Sequence, residues 1–466
     1  MAKETISPQA FYSDHPPDRI IGVECEYNIQ EAPSNSHISL DSYISGWALR
    51  RAGLLLHQEY NTSSYLNNGG RIYVDVGHLE YATAECLGPK QAAAADLAGI
   101  LLMQDIVTAS QRPYQGLYRF TGTTITKSDG TTKNETSGTH ENYLIPRAVS
   151  EGDLIDRWLP GYLATRLFAM TGTVSDTFEF SQKINGIGGS PIDRSLDRRI
   201  SRGKKPMIII PSQSSDQGTI GSNNWARVEV RFSDAPIFPL ASFLRLGATS
   251  LVLRLVEHPH FFNKKLSSNV ELADPLLAAR IFSKDLTLTK TVKTQDDKSV
   301  SLKNIQEAYV LGAIKLSQEV ELPKDENEAL DLWIKFCTDL SDIHPDRLEY
   351  GDMHKHFDFA ARHLYLGRRS LQPISHSSQT VVQQNLIWDR ILPSGGGLLF
   401  RAAQTERVIT AADIQARKYT APNTRAKIRS DVINSTDKEY KVLNWSTLIG
   451  RRSVNIVLAD SYQTKL

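Results

Sequence analysis

Three segments of this chain alternate with period two, which constrains both its fold and one of its surfaces. Side chains on a β-strand point to opposite faces in turn. In GVECEY, Glu24 and Glu26 share one face, and Val23, Cys25 and Tyr27 share the other. In RIYVDV, Arg71, Tyr73 and Asp75 oppose Ile72, Val74 and Val76. In ARVEVRF, Arg227, Glu229 and Arg231 oppose Val228, Val230 and Phe232. Each strand offers an apolar side to a core and a side dense in carboxylate and guanidinium. A single solvated face is common in antiparallel sheets and is the ordinary alternative. Such faces usually carry Lys, Thr, Ser and Gln, not Glu-x-Glu beside Glu-x-Arg. Converging carboxylates repel unless cations hold them, and hard cations such as Mg²⁺ take oxygen ligands and bridge to phosphates. The pattern suits a nucleotide held with divalent ions.

The remaining elements fit around these strands. GPKQAAAADLAGILLMQDIVTASQRP predicts a long buried helix over about 90–111, stopped by Pro113. Further helices are expected near 39–53, 158–170, 240–257, 302–320 and 326–341, with short strands near 116–127 and 141–146. The polar run 289–300 reads as a surface hairpin, and Ser201–Lys205 as a loop. Strands separated by helices without a βαβ rhythm indicate an α+β fold with an antiparallel sheet. With 466 residues, 40% of them hydrophobic, a sizeable core is expected. Pro8, Pro16 and Pro17 mark residues 1–18 as a flexible N-terminus. Pro393 and Gly395–Gly397 divide a main domain, 19–394, from a C-terminal segment, 395–466.

Several function classes are excluded. Lys plus Arg total 53 and Asp plus Glu 52, so the chain is no general nucleic-acid coat. Residues 396–466 do hold twelve Lys/Arg against six Asp/Glu, a basic segment that either is solvated or helps hold a polyanion. No membrane span and no secretory signal are expected. Three widely spaced cysteines, Cys25, Cys86 and Cys337, point to a reducing cytosol rather than a disulfide scaffold. No G-x-x-x-x-G-K-[ST] loop, H-E-x-x-H, paired CxxC or G-x-S-x-G elbow occurs, and NGIGGS completes no dinucleotide fingerprint. His354 and His356 in GDMHKHFD offer a weaker metal alternative.

RIIGVECEY, NNGGRIYVDVGHLEYATAEC (67–86) and GTHENYLI (138–145) resemble the Pup ligase and depupylase family. FEFSQK (178–183), LRLGATSLVLRLVE (244–257), APNTRAKIR (421–429) and LNWSTL (443–448) extend the likeness. This family is part of the glutamine-synthetase-like carboxylate–amine ligases. ARVEVRFSDAPIFPLASF is closer in wording to glutamine synthetase, and Glu229 stands where typical Pup enzymes carry His.

The resemblance implies a glutamine-synthetase-like curved antiparallel sheet packed by helices, with ATP and Mg²⁺ on its concave face. A small basic C-terminal domain would border the nucleotide. Matched by motif, Glu24, Glu26, Tyr73, Glu80, His140 and Glu229 are candidates around the metals. Arg227, Arg231, Thr424, Arg425 and Trp445 are candidates near phosphate or adenine, and Asp75 matches the catalytic aspartate. The structural alternative for Asp75 is a further metal ligand or a salt bridge to Arg71. Glu85 fits either the site or a structural hydrogen-bonding role. The implied activity is ATP-dependent joining of the terminal Glu side chain of a Pup-like protein modifier to lysines of target proteins, in the cytoplasm and without nucleic acid or membrane. Depupylases usually carry a long insertion before the second strand, and only about fifteen residues (54–68) are available here. Ligation is therefore favoured over depupylation or deamidation at the same site. A small-molecule carboxylate–amine ligase and a silent modifier- or nucleotide-binding homologue are the other readings.

Overall fold

The computed structural model describes residues 12–31, 46–52, 56–60, 63–75, 78–111, 114–119, 123–126, 132–135, 138–174, 177–194, 205–211, 224–341, 351–369, 385, 387–392, 407–435, 439–450, 455–458 and 460–465. Its main sheet contains β1 (Ile20–Glu31), β2 (Leu56–Tyr60), β3 (Ser63–Leu66), β4 (Arg71–Asp75), β5 (His78–Ala82), β6 (Thr139–Pro146), β7 (Ile192–Asp193), β8 (Ile208–Ile209) and β9 (Trp225–Val230). The order across the sheet is β7-β8-β9-β6-β1-β5-β4-β3-β2. Neighbours are antiparallel except the terminal β7–β8 pair, which is parallel. The three alternating segments become β1, β4 and β9. Between them stand β6 and β5, which complete one continuous face.

Helix α1 (Gly88–Ser110) and helix α2 (Pro239–Glu257) pack on each other, and α1 covers β1. Pro89 and the run Ala92–Ala95 favour a helix start and interior at α1. Its small residues allow close approach to the strands: a Cβ on Gly99 would lie 2.5 Å from the Tyr81 ring. The helix ends at Gln111, whose left-handed φ of 54° lets its N–H reach Thr108 O. Pro113, the expected stop, lies outside the described residues, as do Ser201–Lys204 and residues 39–45 and 53 of the expected helix at 39–53. Helices α1 and α2 are each long and apolar enough to cross a membrane by length and composition. Their apolar windows are 78% and 94% buried inside the fold, so both serve as core helices.

Val23, Cys25, Tyr27, Ile72, Leu79, Tyr81, Tyr143, Val228 and Val230 face this helical layer. The expected helix at 158–170 is shorter, Leu154–Leu163, followed by a single 3₁₀ turn at Leu167–Ala169. Helices α3 (Leu302–Glu319) and α4 (Lys324–Ser341) form a further layer, and the 289–300 run makes the hairpin Thr291–Lys293/Ser299–Ser301. Helix α5 (Ala411–Tyr419) packs on α1. Beyond it, α6 (Arg425–Asn434) and the strands β10 (Tyr440–Asn444), β11 (Thr447–Gly450) and β12 (Asn455–Val457) form a small unit. Ile428, Ile433, Val442, Leu448 and Leu458 make its own apolar cluster, which takes in Tyr65 of β3. The glycines at 395–397, the expected boundary, lie outside the described residues.

The helical side also hides charge that the apolar pattern did not announce. Asp96 Oδ2 accepts from Arg119 at 2.7 Å and from Arg245 at 2.8 Å. Glu141, on the core face of β6, accepts from Arg166 at 2.9 Å. Removing one partner of a buried pair strands the other charge. Asp96→Ala should therefore cost about 3–5 kcal/mol of unfolding free energy, measured by urea denaturation.

Candidate active site

The face opposite the helices gathers the polar residues of five adjacent strands. Strand register puts Glu24 opposite His140 on one side and Ala82 on the other. Glu26 stands opposite Glu80, and Glu80 opposite Tyr73. Glu229 pairs with Asn142, and Arg227 with Leu144. Asp75 pairs with His78 at the end of β4. The sheet thus brings Glu24, Glu26, Glu80, Tyr73, His140, Glu229, Arg227 and Arg231 onto one surface, with Asp75 at its rim.

Each carboxylate is held differently. His140 Nδ1 lies 2.8 Å from Glu24. Glu229 accepts from Arg231 Nε at 2.5 Å and from Arg227 at 3.1 Å. Burial alone would raise Glu229, but Arg227, Arg231 and His140 hold its carboxyl down at about 2. Glu26 accepts the Gly138 N–H at 2.6 Å. Burial opposes its charge, yet His140, Lys183 and Lys205 keep it below the usual range. For Glu80 the balance runs the other way: burial, then Glu24, Glu26 and Asp75, outweigh the pull of Lys205 and push it up to about 10. Asp75 is exposed and, among the described residues, has no ion-pair partner. Arg71, the alternative partner for Asp75, donates to Ser63 Oγ at 2.8 Å and lies over the Tyr73 ring at 4.9 Å.

Among the described residues, no three His, Cys, Asp or Glu side chains already converge as a metal cage. The donor set nevertheless suits a hard cation. Among the described residues His140 Nε2 is buried without a partner, and Glu80 carries repulsion that a divalent ion would relieve. Oxygen ligands from Glu24, Glu26 and Glu80 could be completed by phosphate oxygens, as such ions prefer. His354, by contrast, turns Nδ1 to Gly351 O at 2.7 Å within the short 3₁₀ helix Gly351–Lys355.

A pocket opens beside this face. Ile20, Gly22, Glu24, Leu144 and Arg227 form its floor, and Arg425, Trp445 and Ser461 close it from the C-terminal unit. Glu85 holds that wall in place. Its carboxylate accepts from Arg425 Nε at 2.7 Å and from both terminal nitrogens of Arg429. Arg429 also lies 5.0 Å from the Trp445 ring. Thr424 does not line the pocket: it caps α6, accepting from Ala426 N and donating to Glu85 O at 2.8 Å. Its place is to seat Arg425. Sequence reasoning passed over Lys183, Lys205, Asn142 and Arg429. Lys183 ends a quoted segment, FEFSQK, yet nothing in that wording signals that its amine is buried.

A family model described as Pup-ligase protein matches residues 19–449. A Pup–protein ligase from Rothia mucilaginosa is 28% identical over 460 residues, spanning 90% of this chain and 87% of the relative. One from Actinosynnema mirum is 26% identical over 420 residues, spanning 89% of each. The solved complex of Pup with its ligase PafA matches with a TM-score of 0.76 at 21% identity, covering 96% of this chain and 90% of that one. PafA with ADP matches with a TM-score of 0.71 at 21% identity, covering 94% of each chain. These structural likenesses establish the fold.

Two predictions follow from the charge arrangement. Burial would raise the Glu85 carboxyl, but Arg429 and Arg425 outweigh it and hold it at about 2. The stability it contributes is present above the ordinary Glu value, about 4.3, and is lost as pH falls toward about 2. Hydrogen-exchange protection of residues 425–458 should fade across that window in the wild type. In Glu85→Gln it should already be reduced at neutral pH, by about 3–5 kcal/mol, with no acid step there. Glu80 has the opposite sign, because its raised value disfavours the ionised fold at neutral pH. Glu80→Gln should raise the melting temperature in chelator, by about 1 °C per kcal/mol relieved, and the gain should shrink when Mg-nucleotide is added.

Proposed function

The chain belongs to the Pup-ligase protein family, and from that premise we propose that it is an ATP-dependent ligase forming isopeptide bonds. The acyl donor is the terminal Glu side chain of a small Pup-like protein, and the acceptor is a lysine of a target protein. The observation that carries this reading is the order of groups along β1. The pocket bounded by Arg425 and Trp445 meets β1 from Ile20 to Glu24. Glu26 follows, and Asp75 and His78 lie beyond, at the other end of the face. Nucleotide, phosphoryl transfer and amine attack would then occupy successive stations.

A carboxylate is a poor acyl donor because its leaving group would be oxide. Transfer of the γ-phosphoryl group from ATP gives an acyl phosphate, whose leaving group is phosphate. Arg227 lines the pocket floor where it can meet nucleotide phosphates, and Arg425 and Trp445 form the wall against the base. Mg²⁺, when bound, would screen charge on the transferring phosphoryl oxygens. Glu24, Glu26 and Glu80, with His140, are the residues we assign to hold it. Glu229, already paired with Arg227 and Arg231, orders those guanidiniums. A lysine amine attacks only when neutral, and its usual pKa is about 10.4. Asp75, exposed and without an ion-pair partner among the described residues, is the residue we assign to take that proton.

Residues 395–466 are proposed as a small domain bordering the nucleotide, and the protein as cytoplasmic. Where depupylases of the resembling family carry a long insertion, this chain has the paired strands β2 and β3. That supports ligation over hydrolysis. The test is incubation with Mg-ATP, a disordered Glu-terminal modifier and a lysine-rich acceptor, read by intact mass. A conjugate lighter by one water than its parts, dependent on ATP, is expected. Asp75→Asn should lower its rate about 10²–10⁴-fold and leave nucleotide affinity unchanged. Release of modifier from a preformed conjugate without new conjugation would replace ligation by depupylation.

A further inference from the structure

Lys183 is 1% exposed, and its Nζ has no hydrogen-bond or ion-pair partner among the described residues. Burying an ammonium without a partner costs on the order of several kcal/mol. The backbone that carries it is not slack. Asp234 accepts from the N–H of Thr171 at 2.8 Å, Gln182 at 3.1 Å and Lys183 at 3.2 Å, and from Ser181 Oγ at 3.1 Å. One buried carboxylate thus fixes the turn from which the amine projects.

The direction of that projection is set by Gly138. This glycine has the parity of His140 and Asn142, so a side chain there would point to the carboxylate face. A Cβ on it would stand 2.2 Å from Lys183 Nζ and 2.9 Å from His140 Nε2, itself buried and unpartnered. Two orphan polar atoms therefore meet over a position kept clear by glycine. Gly138 N also donates to Glu26, which fixes the level along β1. At about 3.3 Å per residue, Glu26 lies roughly 13 Å beyond Gly22 on the pocket floor. That is past the base-binding wall and short of Asp75.

We propose that Lys183 is a further catalytic residue whose ammonium binds the phosphoryl oxygens as the group passes from ATP to the modifier's carboxylate, an inference that rests on the ligase reading above. In that step the bond from the γ-phosphorus to the β–γ bridging oxygen breaks, and its electron pair leaves with ADP. A carboxylate oxygen forms the new bond to phosphorus. No proton moves, and Lys183 forms no covalent bond. Its fixed charge offsets charge on the equatorial oxygens, without reorganisation at the moment of transfer. The modifier's carboxylate is the other oxyanion able to reach this amine.

Lys183→Met removes the charge at similar length, and Lys183→Arg keeps it. Mg-ADP affinity should match the wild type in both, and Lys183→Met, freed of a buried unpartnered charge, should melt no lower than the wild type. Without acceptor, modifier-dependent ADP formation by Lys183→Met should fall about 10²–10³-fold in kcat. KM for the modifier should stay within about twofold, and Lys183→Arg should recover part of the rate. Orthovanadate should tighten Mg-ADP binding to the wild type about tenfold more than to Lys183→Met. Should the Met variant not fold, Lys183→Gln, with a polar tip, takes its place. A raised KM with intact kcat would overturn the phosphoryl assignment and make the amine a carboxylate-binding group. Unchanged kcat and KM, or an undiminished vanadate effect, would overturn the inference altogether. Wild-type protein that forms no ADP with any Glu-terminal modifier would defeat the ligase reading, while the vanadate comparison would still decide for or against Lys183.

Discussion

Like charges directly opposite each other on a sheet repel, and this fold sets Glu26 opposite Glu80 with Glu24 two residues away. Much else in the structure answers that constraint. Arg227, Arg231 and His140 surround Glu229, and Lys183 and Lys205 act on Glu26. What remains uncompensated falls on Glu80, whose carboxyl is pushed up to about 10. A sheet that only needed a solvated face would have no reason to gather this many carboxylates on it. Keeping them makes sense where a cation and a polyanion arrive together and cancel the excess, because hard cations and phosphates each satisfy what the other leaves unpaired.

The same economy explains how the C-terminal unit reaches the sheet. Its apolar cluster is small and borrows Tyr65 from β3, so apolar contact alone supplies limited attachment. Glu85 supplies the rest by accepting from Arg425 and Arg429 together. Bidentate guanidinium–carboxylate contacts fix direction as well as distance. Direction matters here, since Arg425 and Trp445 close the pocket only if α6 sits at one angle to β1. Thr424, expected at the nucleotide, contributes from behind by capping α6 and donating to Glu85 O.

How much of this was legible in the sequence depended on whether period or proximity carried the information. Glu24, Glu26, Tyr73, Asp75, Arg227 and Glu229 could be assigned to one face from alternation alone, because period two is a property of the strand itself. Leu56–Tyr60 and Ser63–Leu66 pair as β2 and β3 although HQEY shows no clean alternation, and β3 is buried at all four positions, so burial there leaves no period of two to read. The Asp96–Arg119–Arg245 cluster was invisible for another reason. Its members are far apart in sequence, and Asp96 sits in an alanine-rich helix that reads as wholly apolar. Lys183 was missed because a lysine after FEFSQ reads as exposed. Only the fold brings Gly138 and His140 against it.

The geometry also bears on why one site can suit two successive reactions. Phosphoryl transfer wants a crowded, positively compensated station that excludes water, since an acyl phosphate hydrolyses readily. Amine attack wants an opening wide enough for a lysine on a folded protein, with a carboxylate free to accept a proton. On this sheet the two demands are separated along one strand. Lys183, Glu26 and Glu80 are buried at the middle, whereas Asp75 is exposed at the rim. The register places Tyr73 opposite Glu80 and, two residues on, Asp75 opposite His78, so one β4–β5 ladder spans both environments. A rigid ladder keeps the spacing between them constant while substrates of different size dock at the open end. Under the ligase reading, that spacing lets a single short modifier terminus be activated in the buried part and reached by many different lysines from outside.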